Sequence, residues 1–194
     1  MKHPTNRELF AYWNTQRGDR LAPDRADIEP SAIRHVLGDT FVLSVDSLAH
    51  YPFRLAGTRL CALFGRELKS ESFVKLWERT GQTALRELLA VVMEEKTGVV
   101  ASATGATSDD SVLAVNLELL LLPLAHHSRN EARVLGALAP MTAPYWLGAR
   151  SVGALKLGMF RHIGAVTDPM APRLVAAPGR VRHGLVVYQG GRQD

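Results

Sequence analysis

A single cysteine, Cys61, is present among the 194 residues, so no disulfide can form within the chain and cysteine usage gives no support to secretion. Long apolar runs are missing too. Runs such as Leu119 to Leu122 fall far short of the roughly 20 residues needed to span a bilayer. The opening residues, MKHPTNRELF, lack the apolar core of a signal peptide. These absences predict a cytoplasmic protein with no membrane span. Neither a G-x-S-x-G elbow nor a G-x-x-x-x-G-K-S/T phosphate loop occurs, which removes the commonest signatures of serine hydrolases and phosphate-loop enzymes. Asp109 and Asp110 are adjacent in a predicted turn, where their side chains diverge instead of acting as an acid–base pair. Charge of one sign is not concentrated either: the net charge is +4 and the pI about 9.5, but most arginines are dispersed. An Arg-rich solvated surface accounts for this. A basic nucleic-acid-associated regulator stands as the alternative, with Arg173, Arg180 and Arg182 of the tail as phosphate contacts.

What is present is organised around Tyr51 to Leu68, YPFRLAGTRLCALFGREL. Tyr51, Phe53 and Leu55 alternate with Pro52, Arg54 and Ala56, as in a strand with one apolar face. Gly57 breaks it, Thr58 is placed to cap a short helix, and Leu60, Leu63 and Phe64 fall on one side of that helix before Gly65 ends it. Upstream, Thr5 and Glu8 have capping-box spacing for a first helix carrying Leu9, Tyr12, Trp13 and Gln16, stopped by Gly18. So aromatic a face must dock on its own domain or on a second copy. Arg20 to Pro30 reads as an irregular arm. Pro30 suits the first turn of a helix through Val36 and Leu37, closed by Gly38, and Phe41 to Val45 is a strand that forms a hairpin with the strand at Phe53.

After a less regular region from Arg66 to Trp77, Leu85, Leu88, Leu89, Val92 and Met93 stripe one side of a helix from about Thr80 to Glu95. The period then changes to two. Strands are predicted at Val99 to Thr107, Val112 to Leu122 and Ala132 to Ala139, with a turn at Ser108 to Ser111 and a polar loop at His126 to Glu131. Short links make these strands antiparallel, five in all, and the class α+β. Beyond Pro140 the chain is apolar but broken by Gly and Pro, with Tyr145, Trp146 and Leu147 expected to pack back. From Gly164 to Arg182 it has the composition of a linker or tail, and Leu185 to Tyr188 is suited to a short edge strand.

The segments FRLAGTRLCALFGREL, Trp77, LELLLLPL and LGALAPMTAPYWLG resemble a family of small bacterial stand-alone PAS-like proteins, over roughly Thr5 to Ile163. The resemblance implies a PAS-like five-stranded antiparallel sheet with helices on one face and a cavity between, plus the N-terminal helix and an extended C-terminal tail. Together with the element pattern, the chain is expected to divide into an N-terminal amphipathic helix (1–18), a PAS-like domain (19–163) and a tail (164–194). The resemblance also implies a sensory or protein-interaction role, often through dimers, and no catalytic activity. A small-molecule enzyme of cone-shaped α+β type ranks third, because no buried acid or base stands out.

A cavity between helices and sheet would be lined by Phe53, Leu55, Leu60, Phe64, Trp77, Leu88 and Val92, with Leu117 and Leu119 from the strand. Such an apolar concavity suits a small apolar or amphipathic ligand; the plainer alternative is that the same residues fill the core. Arg54 and Arg59 are candidate polar anchors for an anionic ligand, or partners of Glu67. Leu9, Tyr12 and Trp13 form the candidate dimer or partner helix, and a homodimer is expected. No cofactor is predicted. The helix Thr80 to Glu95 has no histidine to ligate haem, and Cys61 lies between Leu60 and Ala62 instead of in the Asn-Cys-Arg setting of flavin photosensors. His126 and His127, adjacent in a loop with no cysteine cluster, are read as solvated and not as a zinc site.

Overall fold

The computed structural model describes residues 1–46, 48–109, 113–125 and 132–164, and the backbone of 181–182 and 185–186. Asp110, His126, His127, Arg173, Arg180 and Tyr188 lie outside the described residues. The main sheet is antiparallel, built from β1 (Thr40–Ser44), β2 (Phe53–Ala56), β3 (Gly98–Thr107), β4 (Ala114–Leu124), β5 (Arg133–Pro140) and β6 (Val152–Ile163) in the order β2-β1-β5-β4-β3-β6. The five expected strands are contiguous, and the count is corrected to six. The additional strand comes from the segment beyond Pro140 that Gly and Pro made look irregular. It pairs along β3 from Gly98 with Ile163 to Thr107 with Val152, through two shifts of register. An edge strand tolerates such shifts and interior glycines because only one side of its ladder is committed. A separate two-stranded pair joins β7 (Val181–Arg182) to β8 (Leu185–Val186), so the predicted strand at Leu185 has β7 as its partner.

The sheet has two cores. One face meets α2 (Thr58–Phe64), a 3-10 turn at Val74–Leu76 and α3 (Gln82–Glu94), over Val99, Ala101, Ala103, Val115, Leu117, Leu119 and Leu121. The opposite face meets α1 (Pro4–Arg17) and the arm around Ala22, Ile28, Ile33 and Val36, over Val42, Leu120, Leu122, Leu135 and Ala137. This explains LELLLLPL. Period two sends Leu119 and Leu121 to one core and Leu120 and Leu122 to the other, as a central strand covered on both faces requires. Trp146 packs back as expected, whereas Tyr145 is exposed.

Three local expectations are corrected. Helix α1 begins at Pro4, and the Nδ1 of His3 accepts its capping bond from the Thr5 N–H at 3.2 Å. Proline needs no donor at the first helical position, so Thr5 and Glu8 are released to bond Asp39 and His35. The helix expected after Pro30 is reduced to two 3-10 turns, Pro30–Ile33 and Leu37–Asp39. Gly57, not Thr58, is the N-cap of α2, with no side-chain cap.

Candidate functional site

Of the residues expected between helices and sheet, Phe53, Leu60, Phe64, Trp77, Leu88, Val92, Leu117 and Leu119 are buried together in the first core. Phe73 is the hub they were missing. Its ring lies 5.2 Å from that of Phe41 and 5.7 Å from those of Phe53 and Trp77. The spacing of Phe73, Leu76 and Trp77 (i, i+3, i+4) carried that signal inside a stretch read as irregular. Trp77 is 1% exposed, yet its indole nitrogen finds no hydrogen-bond partner among the described residues. Leu55 does not belong to this set and is 42% exposed. Leu43 pairs with Phe53 but Val42 pairs with Leu55, so an irregularity at Arg54 breaks the alternation. One extra residue in a strand sends the next side chain to the opposite face.

The aromatic helix is covered by its own sheet. Leu9 and Trp13 are fully buried in the second core, and the Trp13 indole donates to the Pro123 carbonyl at 2.8 Å. The Tyr12 hydroxyl accepts from the Glu29 N–H at 2.8 Å and donates to the Asp27 carbonyl at 3.3 Å, tying the arm to α1. Of the two covers expected for this face, its own domain or a second copy, Leu9 and Trp13 take the first, because β4 and β5 supply the apolar cover that the isolated helix lacked.

Arg54 and Arg59 do not converge. Arg54 is exposed on β2, at the outer edge of the sheet. Arg59 grips Asp39 through two parallel bonds, Nε to Oδ1 at 3.0 Å and Nη2 to Oδ2 at 2.7 Å, and its Nη2 also reaches the His35 carbonyl at 3.2 Å. The expected partner Glu67 instead accepts from the Lys69 N–H at 3.0 Å and from the Cys61 thiol at 3.7 Å. Burial pushes the Cys61 thiol up from its ordinary value, which favours its protonated form. Two glycines make the Arg59 geometry possible. A Cβ on Gly57 would collide with the carbonyls of Leu37 and Gly38, and one on Gly38 would meet the Arg59 guanidinium. The start of α2 therefore lies directly against the Leu37–Asp39 turn. The Thr5 hydroxyl adds a bond to Asp39 Oδ2 at 3.3 Å. Beside this cluster opens a cavity of about 290 Å³ lined by the polar His3, Thr5, Asp39 and Arg59 and by the apolar Leu63, Leu138 and Leu147. Sequence reasoning found Arg59 but missed His3, Thr5 and Asp39, whose contribution depends on three separate segments meeting.

The outer face of the sheet is half covered. Over β3 and β6 it forms an open groove of about 650 Å³ lined by Val100, Ser102, Thr104 and Asn116, with Met1, Met141 and Met159 and the cationic Lys2 and Arg161 also in its lining. Met159 is 87% exposed. Glu118 marks the border with α1. Its carboxylate accepts from the N–H groups of Lys2 at 2.6 Å and His3 at 3.0 Å and from the Asn6 amide at 3.1 Å. Burial raises the Glu118 carboxyl, but these donors outweigh it and hold the group below its ordinary value.

A family model described as PAS domain matches residues 1–139. The chain belongs to the PAS domain family, whose members are generally sensory or interaction modules and not enzymes. The match runs from before α1 into the last residues of β5 and ends short of β6. The comparison with curated proteins gave no match. Among the described residues, no helix is long and apolar enough to cross a membrane.

Proposed function

We propose that this chain is a non-enzymatic signalling module that acts by holding an acidic amphipathic segment of another protein on the uncovered half of its sheet. One observation carries the reading: a methionine-rich groove with cations in its lining, on a sheet face whose other half is already filled. Methionine side chains adapt to varied apolar partners. Lys2 and Arg161 line the groove, and Lys156 shares the same sheet face through its pairing with exposed Thr104. Glu118, the acidic residue lining it, is committed to the start of α1. A second copy presenting the same face would set these cations against each other, so charge favours an acidic partner over a homodimer there. The test is an amide-resolved NMR titration with an acidic amphipathic helical peptide of about 18 residues, its charge-reversed counterpart and a short DNA duplex. Binding of the acidic peptide, shifts on β3 and β6 and its loss in Lys156→Glu/Arg161→Glu support the reading. Preference for the duplex, with steep salt dependence, would replace it with nucleic-acid association.

A second reading is favoured by the unpartnered Trp77 indole. A small amphipathic ligand carrying one acceptor oxygen, entering between α3 and the sheet, would satisfy that donor, which otherwise costs about 1–3 kcal/mol. Native mass spectrometry of freshly purified protein tests for such a ligand. A mass equal to the bare chain, together with no thermal shift across a metabolite library, counts against it.

A further inference from the structure

We infer that the cavity beside Asp39 and Arg59 is a binding site for a small aliphatic monocarboxylate, separate from both the helix–sheet interior and the open groove. Its polar wall is built with donors to spare. Asp39 is 5% exposed, and both of its oxygens are turned to Arg59, with Thr5 adding to one of them. The Arg59 guanidinium uses Nε and Nη2 for these bonds and for the His35 carbonyl; Nη1 takes no part in them. His3 accepts the Thr5 N–H at Nδ1, so its neutral ring carries the proton on Nε2. The wall therefore offers a guanidinium N–H and an imidazole N–H. Asp39 spends three of its acceptor positions on Arg59 and Thr5.

The rest of the lining consists of Leu63, Leu138, Pro140, Ala143 and Leu147 with Met141, a surface for a short hydrocarbon chain. A volume of about 290 Å³ sits at the bottom of the range for small-molecule sites, about 300 to 1,000 Å³, and limits the occupant to a few carbons. Two N–H donors beside an apolar lining match a carboxylate with a short alkyl tail. An amine would find the Asp39 oxygens already turned to Arg59 and Thr5, and a neutral amide accepts more weakly than a carboxylate from a guanidinium N–H. The site joins the first turn of α1, the Leu37–Asp39 turn, α2 and the end of β5, and Met141 lines both this cavity and the groove.

The test is an amide-resolved NMR titration of the full chain with sodium propionate, butyrate and hexanoate. Butyramide and butylammonium chloride serve as controls at constant ionic strength. Saturable shifts at Thr5, Arg59, Leu63 and Leu147 are expected with butyrate, and at least about tenfold weaker binding with butyramide. Ala143→Phe, at an exposed position on the apolar wall, is expected to block butyrate with the melting temperature unchanged. Arg59→Lys, which keeps the charge but loses the planar fork, should weaken it about fivefold or more. Shifts that do not saturate, equal affinity for the amide, preference for the ammonium, or full binding in Ala143→Phe would each overturn the site. Because Ala143→Phe leaves the ion pair untouched, the result does not depend on the stability of Arg59→Lys. Since the groove is read with a peptide and the cavity with butyrate, either can fail without the other.

Discussion

Asn6 donates through one amide nitrogen to two oxygens of Glu118, the backbone carbonyl at 3.0 Å and carboxylate Oε1 at 3.1 Å. Both residues are buried, so the start of α1 is locked to the middle of a central strand by bonds that exchange little with water. Trp13, seven residues further along α1, anchors the other end on Pro123. The helix is thereby a structural part of the domain and carries the border of the open groove.

Acid should loosen this attachment in a defined direction. Because the folded Glu118 carboxyl is held below its ordinary value, its stabilisation is fully present above the unfolded-state value of about 4.3. It is lost as the pH falls through the lower folded value. Thermal unfolding of the wild-type chain and of Glu118→Gln across that interval should converge as the pH drops. At neutral pH the variant should be less stable by about 1–3 kcal/mol, the range for a hydrogen-bonded buried charge.

Trp13 provides the contrast between packing and polar contributions. Trp13→Phe keeps most of the ring volume but leaves the Pro123 carbonyl without its donor, a loss of about 1–2 kcal/mol. Trp13→Ala should cost about 3–5 kcal/mol. If α1 instead served only as a contact between copies, chemical denaturation of the dilute chain would register neither change.

The irregular pairing at Arg54 separates two residues that alternate in the sequence. Phe53→Ala removes a ring packed against Phe41 and Phe73 and should destabilise by about 3–5 kcal/mol. Leu55→Ala, at a partly exposed site on the other face, should stay within about 1 kcal/mol. Urea midpoints for the two variants give the comparison directly.

Gly57→Ala should be among the most damaging single changes, although it adds one methyl group. The methyl would overlap the backbone carbonyls of Leu37 and Gly38, which cannot move aside as a flexible side chain would. A loss above about 4 kcal/mol is expected, measured as a fall in the unfolding midpoint. The Arg59–Asp39 grip should be disturbed with it, visible as a shift of the Arg59 Nε–H signal.

Much of the fold was legible because it is written in short-range periods. The stripe of α3, the strand of period two at Val99 and the stops at Gly18 and Gly65 all depend on neighbours within two helical turns. β6 was not, because its glycines and bulges read as breaks until the free edge of β3 supplied a partner. The aromatic interior was half legible: Phe53 and Trp77 stood out, whereas Phe73 was hidden among 3-10 turns that local propensity describes poorly. The polar cavity was less so, since Arg59 looked towards Glu67 by proximity in sequence and found Asp39 through the approach of two glycines.

By itself the sequence determined the α+β class, the antiparallel strands, the absence of an internal disulfide and the two-sided apolar character of LELLLLPL. These follow from residue type and from repeats that each element carries within itself. Only tertiary structure decided which surface remained open and which aromatic residues went inside. A side chain's exposure depends on what the rest of the chain lays over it, and α1 covers half of the sheet while leaving the other half bare. Arg59 owes its partner to the same cause: Thr5, Asp39 and Arg59 are far apart along the chain and are brought together by the packing of α1 and α2 around the edge of one sheet.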